Sequence, residues 1–161
     1  MSTRRLWAPW RVGIIATARR RRGGCIFCQR QRSRSNEKEH VITRGRLGYS
    51  ILNRFPYNNG HLLIVPYRHV GRLELLTAEE WLELLELTRD AMSRLKKVLA
   101  PDGYNLGINL GRTAGAGILG HLHLHLVPRW NGDANFMPVV ANTKVISQSL
   151  DAASGLLRHA G

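Results

Sequence analysis

The sequence is short of several things, and each shortage narrows what the chain does. Only two of its 161 residues are cysteine, too few for the disulfide framework of a small secreted fold. No stretch approaches the ~20 apolar residues of a membrane-spanning helix, since every long apolar run breaks at Arg, His, Pro or Gly. An integral membrane protein is therefore not expected. Acidic residues number 11 against 24 Lys and Arg, and in the first fifty residues only Glu37 and Glu39 stand against 13 basic ones. There is no Walker lysine loop, no nucleophile elbow and no aligned acidic pair for Mg²⁺.

What remains is ordinary globular material, 43% hydrophobic and 22% charged. A chain of this length makes one domain, buries roughly 70% of its unfolded surface and needs no staple merely to fold. The net charge of +13 is concentrated near the start, at Arg19-Arg20-Arg21-Arg22 and at Arg30, Arg32 and Arg34. Such a field attracts nucleic acid, acidic lipid or nucleotides, and it also suits a plain soluble arm. Charge alone does not choose between them. The segment from Arg4-Arg5 to Ala18 loosely imitates a secretion signal, but Pro9 and Arg11 interrupt its apolar core. An acid-poor, Arg-rich start also resembles a mitochondrial presequence. The expected location is cytoplasmic.

Along the chain, 1–24 reads as an irregular basic arm docked through Trp7 and Trp10, and 29–40 reads as a polar loop. Alternation predicts a strand over 47–53. The Pro-Tyr-Asn-Asn-Gly turn should deliver a second strand over 61–65, stopped by Pro66. Thr77 and Glu80 form a capping box at the start of a helix over 77–99, with Trp81, Leu84, Leu85, Ala91, Met92, Leu95 and Leu99 as its buried stripe. Strands follow over 104–110 and 121–127, the latter ended by Pro128, and a short helix over 147–158. This order indicates an α+β fold with an antiparallel sheet.

Gly115-Ala116-Gly117-Ile118-Leu119-Gly120 has the letters of a dinucleotide fingerprint. That motif must open a helix, and here it runs into a strand, so a Rossmann reading is rejected. Its glycines still bring bare backbone N–H groups within reach of phosphate oxygens.

The strand itself reads His121-Leu122-His123-Leu124-His125-Leu126. Strand alternation puts three imidazoles on one face and three leucines on the other, toward the core. Each buried imidazole needs two hydrogen-bond partners, so three on one face require a purpose, catalytic or metal-binding. Neutral imidazole is a good nucleophile near pH 7. Attack on phosphorus gives a phosphoramidate that a second acceptor cleaves.

The run His121 to Val127, with Asn53, Gly60-His61 and Asn109 upstream, resembles the signature of the histidine triad (HIT) family of nucleotide hydrolases and transferases. The likeness covers about 25–140. Arg5-Leu6-Trp7-Ala8-Pro9-Trp10-Arg11, Asn109-Leu110-Gly111-Arg112 and the segment from Pro128 to Phe136 are similar to the bacterial branch related to diadenosine tetraphosphate phosphorylases. The resemblance implies a HIT-like fold, with a five-stranded antiparallel sheet, one long helix and a short C-terminal helix. It divides the chain into an arm (1–24), a HIT domain (25–140) and an extension (141–161). It implies that His123 is the nucleophile, that His125 and His61 bind phosphate oxygens and orient the triad, and that Asn53 holds the ribose. Ile51 then lines the base slot. Asn109 and the backbone of Gly115, Ala116 and Gly117 line the phosphate path, and Trp130 is counted among the nucleotide-binding residues. Many relatives carry Gln or Ser where this chain has Gly117, so backbone donors or water must assist the leaving oxygen.

Cys25 and Cys28 supply half of a tetrahedral zinc site. The resemblance completes it with His69 and His121 and so implies structural zinc and no organic cofactor; a reduced, metal-free pair is the alternative. Expected partners are an adenine nucleotide or dinucleoside polyphosphate, inorganic phosphate as a possible acceptor, and a second copy in a homodimer. A nucleic-acid-binding protein with a vestigial site is the other function class, separable by the salt dependence of binding.

Overall fold

The computed structural model describes residues 24–33, 35–134 and 145–161. Trp7, Trp10 and nearly all of the basic arm, together with 135–144, lie outside them. The elements run α1 (Ile26–Arg32), α2 (Asn36–Glu39), β1 (Val41–Arg44), β2 (Gly48–Leu52), β3 (Leu62–Pro66), a 3₁₀ turn (Leu73–Leu75), α3 (Ala78–Leu99), β4 (Gly103–Ile108), β5 (Leu124–Arg129) and α4 (Leu150–His159). The strands form one sheet in the order β1-β2-β3-β5-β4, antiparallel throughout.

The sheet is covered on both faces, which is why β3 reads as an unbroken apolar run and both β2 and β3 are buried along their length. One face carries Leu62, Ile64, Leu122, Leu124 and Leu126 against Leu84, Leu87, Ala91 and Leu95 of α3 and Ala153 and Leu157 of α4. On the other face Val41, Tyr49, Ile51, Leu63 and Val65 pack with Phe27 of α1. The C-terminal segment thus joins the main core: Arg94 donates to the carbonyls of Leu157 and Arg158.

Helix α3 starts as the sequence predicts. Thr77 Oγ1 accepts from Glu80 N while the Glu80 carboxylate accepts from Thr77 N. Its buried stripe differs, however. Leu87 and Thr88 are inside, whereas Leu85 and Met92 are exposed. The inward line follows 84, 87, 88, 91 and 95, and Leu85 and Met92 lie off it.

The 29–40 region is not a loop but contains most of α1 and all of α2. The C-terminal carbonyls of α1, from Arg30, Gln31 and Ser33, are collected by the Arg44 guanidinium, a long-range partner invisible in local sequence. Strand β1 is likewise an addition. Two prolines thought to end strands lie within them. Pro66 closes β3, and β5 continues through Pro128 to Arg129. Pro128 lies past the last β3–β5 pair, Leu62 with Leu126, where only the β4 ladder continues.

Candidate active site and metal cluster

The laddered part of the histidine strand begins only at Leu124, so His121 and His123 sit in the extended approach to β5. The alternation holds there all the same: Leu122, Leu124 and Leu126 enter the α3-facing core. The histidines take the opposite face, where His121 and His123 are buried and the rings of His123 and His125 lie 5.0 Å apart.

Hydrogen-bond roles fix the tautomers. His123 Nδ1 lies 2.9 Å from the carbonyl oxygen of His121. A carbonyl only accepts, so Nδ1 carries the proton and the Nε2 lone pair is left for chemistry. Burial pushes the His123 pKa down, opposed by that hydrogen bond, which keeps the ring neutral and nucleophilic near neutral pH. In His61, Nδ1 accepts from the Tyr57 backbone N–H at 3.0 Å, and Asn53 Nδ2 lies 3.3 Å from the same atom. Neutral His61 must therefore donate from Nε2, which is 3.0 Å from His125 Nδ1. His125 then carries its proton on Nε2, facing Asn109 Nδ2 at 3.4 Å. With the amide in that orientation two N–H donors converge beside His123, an arrangement suited to an oxyanion; the opposite rotation lets Oδ1 accept from Nε2.

The strand register brings these groups together. His125 lies opposite Leu63 on β3 and Gly107 on β4, and glycine puts no side chain beside it. Gly60, at φ +71°, lets the chain turn back into β3 so that His61 enters fully buried.

A cleft of about 730 Å³ opens beside this group, well within the range of small-molecule sites. Its apolar walls include Ile26, Phe27, Ile51, Leu63 and Ile118, and its polar rim includes Asn53, Arg54 and Arg112. Ile51, Asn53, Ala116 and Gly117 thus line it as the sequence reading expects. His123 is not part of the lining, but it meets the cleft wall through Phe27, whose ring lies 5.1 Å from its own. Phe27 is a site residue that the sequence reading missed, and its place between the two cysteines was the available signal.

Three expectations change. Trp130 stands apart from the cleft, its indole N–H donating to the Leu99 carbonyl at the end of α3. The N–H groups of Gly115 and Ala116 donate within their own loop, to Arg112 and Gly111 carbonyls, which narrows the expected phosphate cradle to Gly117. Asn53 Oδ1 accepts from the Phe55 N–H and Nδ2 lies against His61 Nδ1, which leaves one N–H and one oxygen lone pair of the amide to reach outward.

Beside the cleft, whose lining includes Cys25, the residues Cys25, Cys28, His69 and His121 place one ligand atom each within 4.8 Å of one another. Cys25 Sγ is 3.3 Å and Cys28 Sγ 3.6 Å from His121 Nδ1, and Cys28 Sγ is 3.4 Å from His69 Nδ1. Zinc bonds of about 2.0–2.3 Å give a tetrahedron with edges of roughly 3.3–3.8 Å, so the donor set fits that ion. His121 Nε2 donates to the Pro66 carbonyl at 2.8 Å, which turns the Nδ1 lone pair toward the thiols. Burial lowers the His121 pKa, keeping it neutral as a ligand must be. A 2.7 Å bond from Leu122 N to Val70 O holds the two histidine-bearing segments together.

Comparison with known proteins agrees with this geometry. The HIT domain family model matches residues 34–132. The chain is 43% identical over 159 residues to the AP-4-A phosphorylase of Mycobacterium tuberculosis, a match spanning 95% of this chain and 82% of that protein. It is 34% identical over 93 residues to the asymmetrical bis(5'-nucleosyl)-tetraphosphatase of Schizosaccharomyces pombe, spanning 58% of this chain and 50% of that one. A zinc-bound histidine triad family protein from Mycobacterium smegmatis superposes with a TM-score of 0.68 at 25% identity, covering 85% of this chain and 92% of the other. With the triad on one face of β5 and its approach, and that family model spanning all five strands, this chain belongs to the histidine triad family.

Proposed function

We propose that this protein cleaves dinucleoside polyphosphates by nucleotidyl transfer through His123. It is a nucleotide hydrolase or transferase of the histidine triad family, and the observation that carries the reading is the bond from His123 Nδ1 to the His121 carbonyl. That bond presents Nε2 as the nucleophile and persists through the reaction. In the first step Nε2 forms a bond to the α-phosphorus while the bond from phosphorus to the bridging oxygen breaks. The remainder of the substrate departs as a nucleoside polyphosphate. In the second step an acceptor oxygen bonds to the same phosphorus and the P–N bond breaks, returning neutral His123. Water yields a nucleoside monophosphate and inorganic phosphate a nucleoside diphosphate. The 43% identity to an AP-4-A phosphorylase supports a tetraphosphate substrate and phosphate as acceptor.

The chain's own residues divide the work. Ile51, Phe27 and Leu63 take the base, the Asn53 amide the ribose, and His125 with Asn109 the phosphoryl oxygens. Bound zinc, held by Cys25, Cys28, His69 and His121, supplies structure rather than reaction chemistry. The open edge of β4, with Leu106 exposed, supports a homodimer.

The test is mass spectrometry of acid-labile nucleotide on His123 after rapid quench with diadenosine tetraphosphate, with and without inorganic phosphate. The expected result is an adenylyl adduct on His123, formed in wild type and absent in His123→Ala. The His123→Ala variant should fold and still bind AMP. Full turnover by that variant ends the proposal.

A further inference from the structure

Tyr57 lies in the turn that carries the chain from β2 to β3, and it touches the His61–His125 pair twice. Its backbone N–H donates to His61 Nδ1 at 3.0 Å. Its ring lies 4.7 Å from that of His61, and it is stacked on that of His125 at 5.7 Å with only 12° between the planes. His61 is fully buried whereas Tyr57 is 41% exposed, so the phenol ring forms an outer layer over the two imidazoles. Tyr57 belongs to neither apolar cluster of the fold.

An imidazole in water exchanges freely between its two tautomers and turns about its ring torsion. The relay needs one tautomer of His61, with the proton on Nε2, and a fixed plane for His125 so that its own Nε2–H keeps its direction. The Tyr57 N–H enforces the first condition, since His61 Nδ1 cannot be protonated while facing a backbone donor. The near-parallel stack enforces the second and keeps competing water from the pair. We infer that Tyr57 is a positioning residue of this site, acting on phosphoryl oxygens only through His61 and His125. The kinetic consequence rests on the nucleotidyl-transfer reading; the hold on the imidazoles rests on the geometry alone.

The cleft that receives the nucleotide does not include Tyr57 in its lining. Loss of the ring should therefore act on the chemical step and leave binding nearly intact. For Tyr57→Ala the expected result is a fall in kcat of about tenfold with KM within about twofold of wild type, as for a catalytic group released from its productive orientation. Tyr57→Phe keeps the flat ring and should stay within about twofold in both parameters. The second readout is ¹⁵N NMR of the histidine side chains. In wild type and Tyr57→Ala alike, His61 should show an unprotonated Nδ1 and a protonated Nε2, because the backbone N–H remains, whereas the His125 signals should move once the stacked ring is gone. Tyr57→Leu, which fills the volume without a flat ring, replaces the alanine variant if that one does not fold. A kcat unchanged in Tyr57→Ala, or His125 signals that stay where they are, overturns the inference. Wild-type protein that turns over no dinucleoside polyphosphate, with the His125 signals still moving on substitution, counts against the nucleotidyl-transfer reading and upholds the hold of Tyr57 on the pair.

Discussion

Gly117 occupies the point on the cleft where a donor to the departing oxygen would be useful, and a Cβ built there meets nothing within 4 Å. A side chain can therefore start at this position without its Cβ displacing a neighbour. Gly117→Gln should therefore raise turnover several-fold, on the scale of one added transition-state hydrogen bond, at unchanged melting temperature. Steady-state kinetics on diadenosine tetraphosphate together with a thermal melt checks it; a loss of activity would mean that the bare backbone itself makes the contact. Gly115 is the contrast two residues earlier. Its φ of +92° excludes a side chain, so Gly115→Ala should distort the loop at a cost of about 1–2 kcal/mol. At this scale the sequence was informative where side-chain chemistry is the function. The triad histidines and the Cys25–Cys28 pair are legible because their types and spacing carry the chemistry, whereas Asn53, His69 and the ligand role of His121 came from the family resemblance. Tyr57 was not, since half of its role belongs to a backbone N–H that any residue but proline has. Trp130 was placed by its neighbourhood in sequence, and only the Leu99 carbonyl shows where its indole goes.

Elements were legible in proportion to how locally they are held. The start of α3 is specified within four residues by Thr77 and Glu80, and it was read correctly. Helix α1 ends on a guanidinium from β1, and β1 finds its partner only when β2 arrives, so neither leaves a local trace. The capping glutamate has a second task. Its carboxylate takes two bonds from Arg68, at 2.6 and 2.8 Å, and Arg68 also donates to the Leu75 carbonyl. Helix α3 is thereby clipped to the turn that presents His69. The Arg68 bonds and the Thr77 N–H hold the Glu80 pKa down to about 2, well under the ordinary glutamate value of about 4.3. A carboxylate with a depressed native pKa stabilises the fold above its unfolded pKa, and that contribution disappears as pH falls toward the native value. Glu80→Gln should thus lose about 1–2 kcal/mol at pH 7 through the cap and the ion pair. The gap from wild type should narrow as pH falls from about 5 toward 2.5. Urea titrations at three pH values decide it; a gap that does not vary with pH would place the whole effect in packing.

Taken as a whole, the molecule has two unequal halves on either side of one sheet. The α3 and α4 side is a large apolar core that needs no metal. The α1 side is small, and its central ring, Phe27, is held from three directions. Tyr49 donates to its carbonyl at 2.9 Å, the His121 and His123 rings lie 5.3 and 5.1 Å from its own, and Cys25 and Cys28 flank it in sequence. Zinc on Cys25, Cys28, His69 and His121 would tie α1 to the turn after β3 and to the approach to β5, three segments far apart in the chain. The same four residues reach the proposed nucleophile, because the carbonyl that sets the His123 tautomer belongs to His121. Purified protein should therefore contain one zinc per chain by elemental analysis, and Cys28→Ser close to none. At a free-metal excess of about a thousand times Kd the ion contributes about 4 kcal/mol. Its loss should then lower the melting temperature by roughly 10 °C without unfolding the domain. Hydrogen exchange locates the change. Without zinc, amides in 25–33 and around 67–70 should exchange faster, while those of α3 stay protected, because the α3 core does not share the ligands. AMP affinity should weaken in parallel, since Phe27 is both wall of the nucleotide cleft and neighbour of the metal ligands. Exchange that accelerates uniformly across the sheet and α3 would mean that the metal holds the whole fold, and unchanged AMP affinity would separate the cluster from the active site.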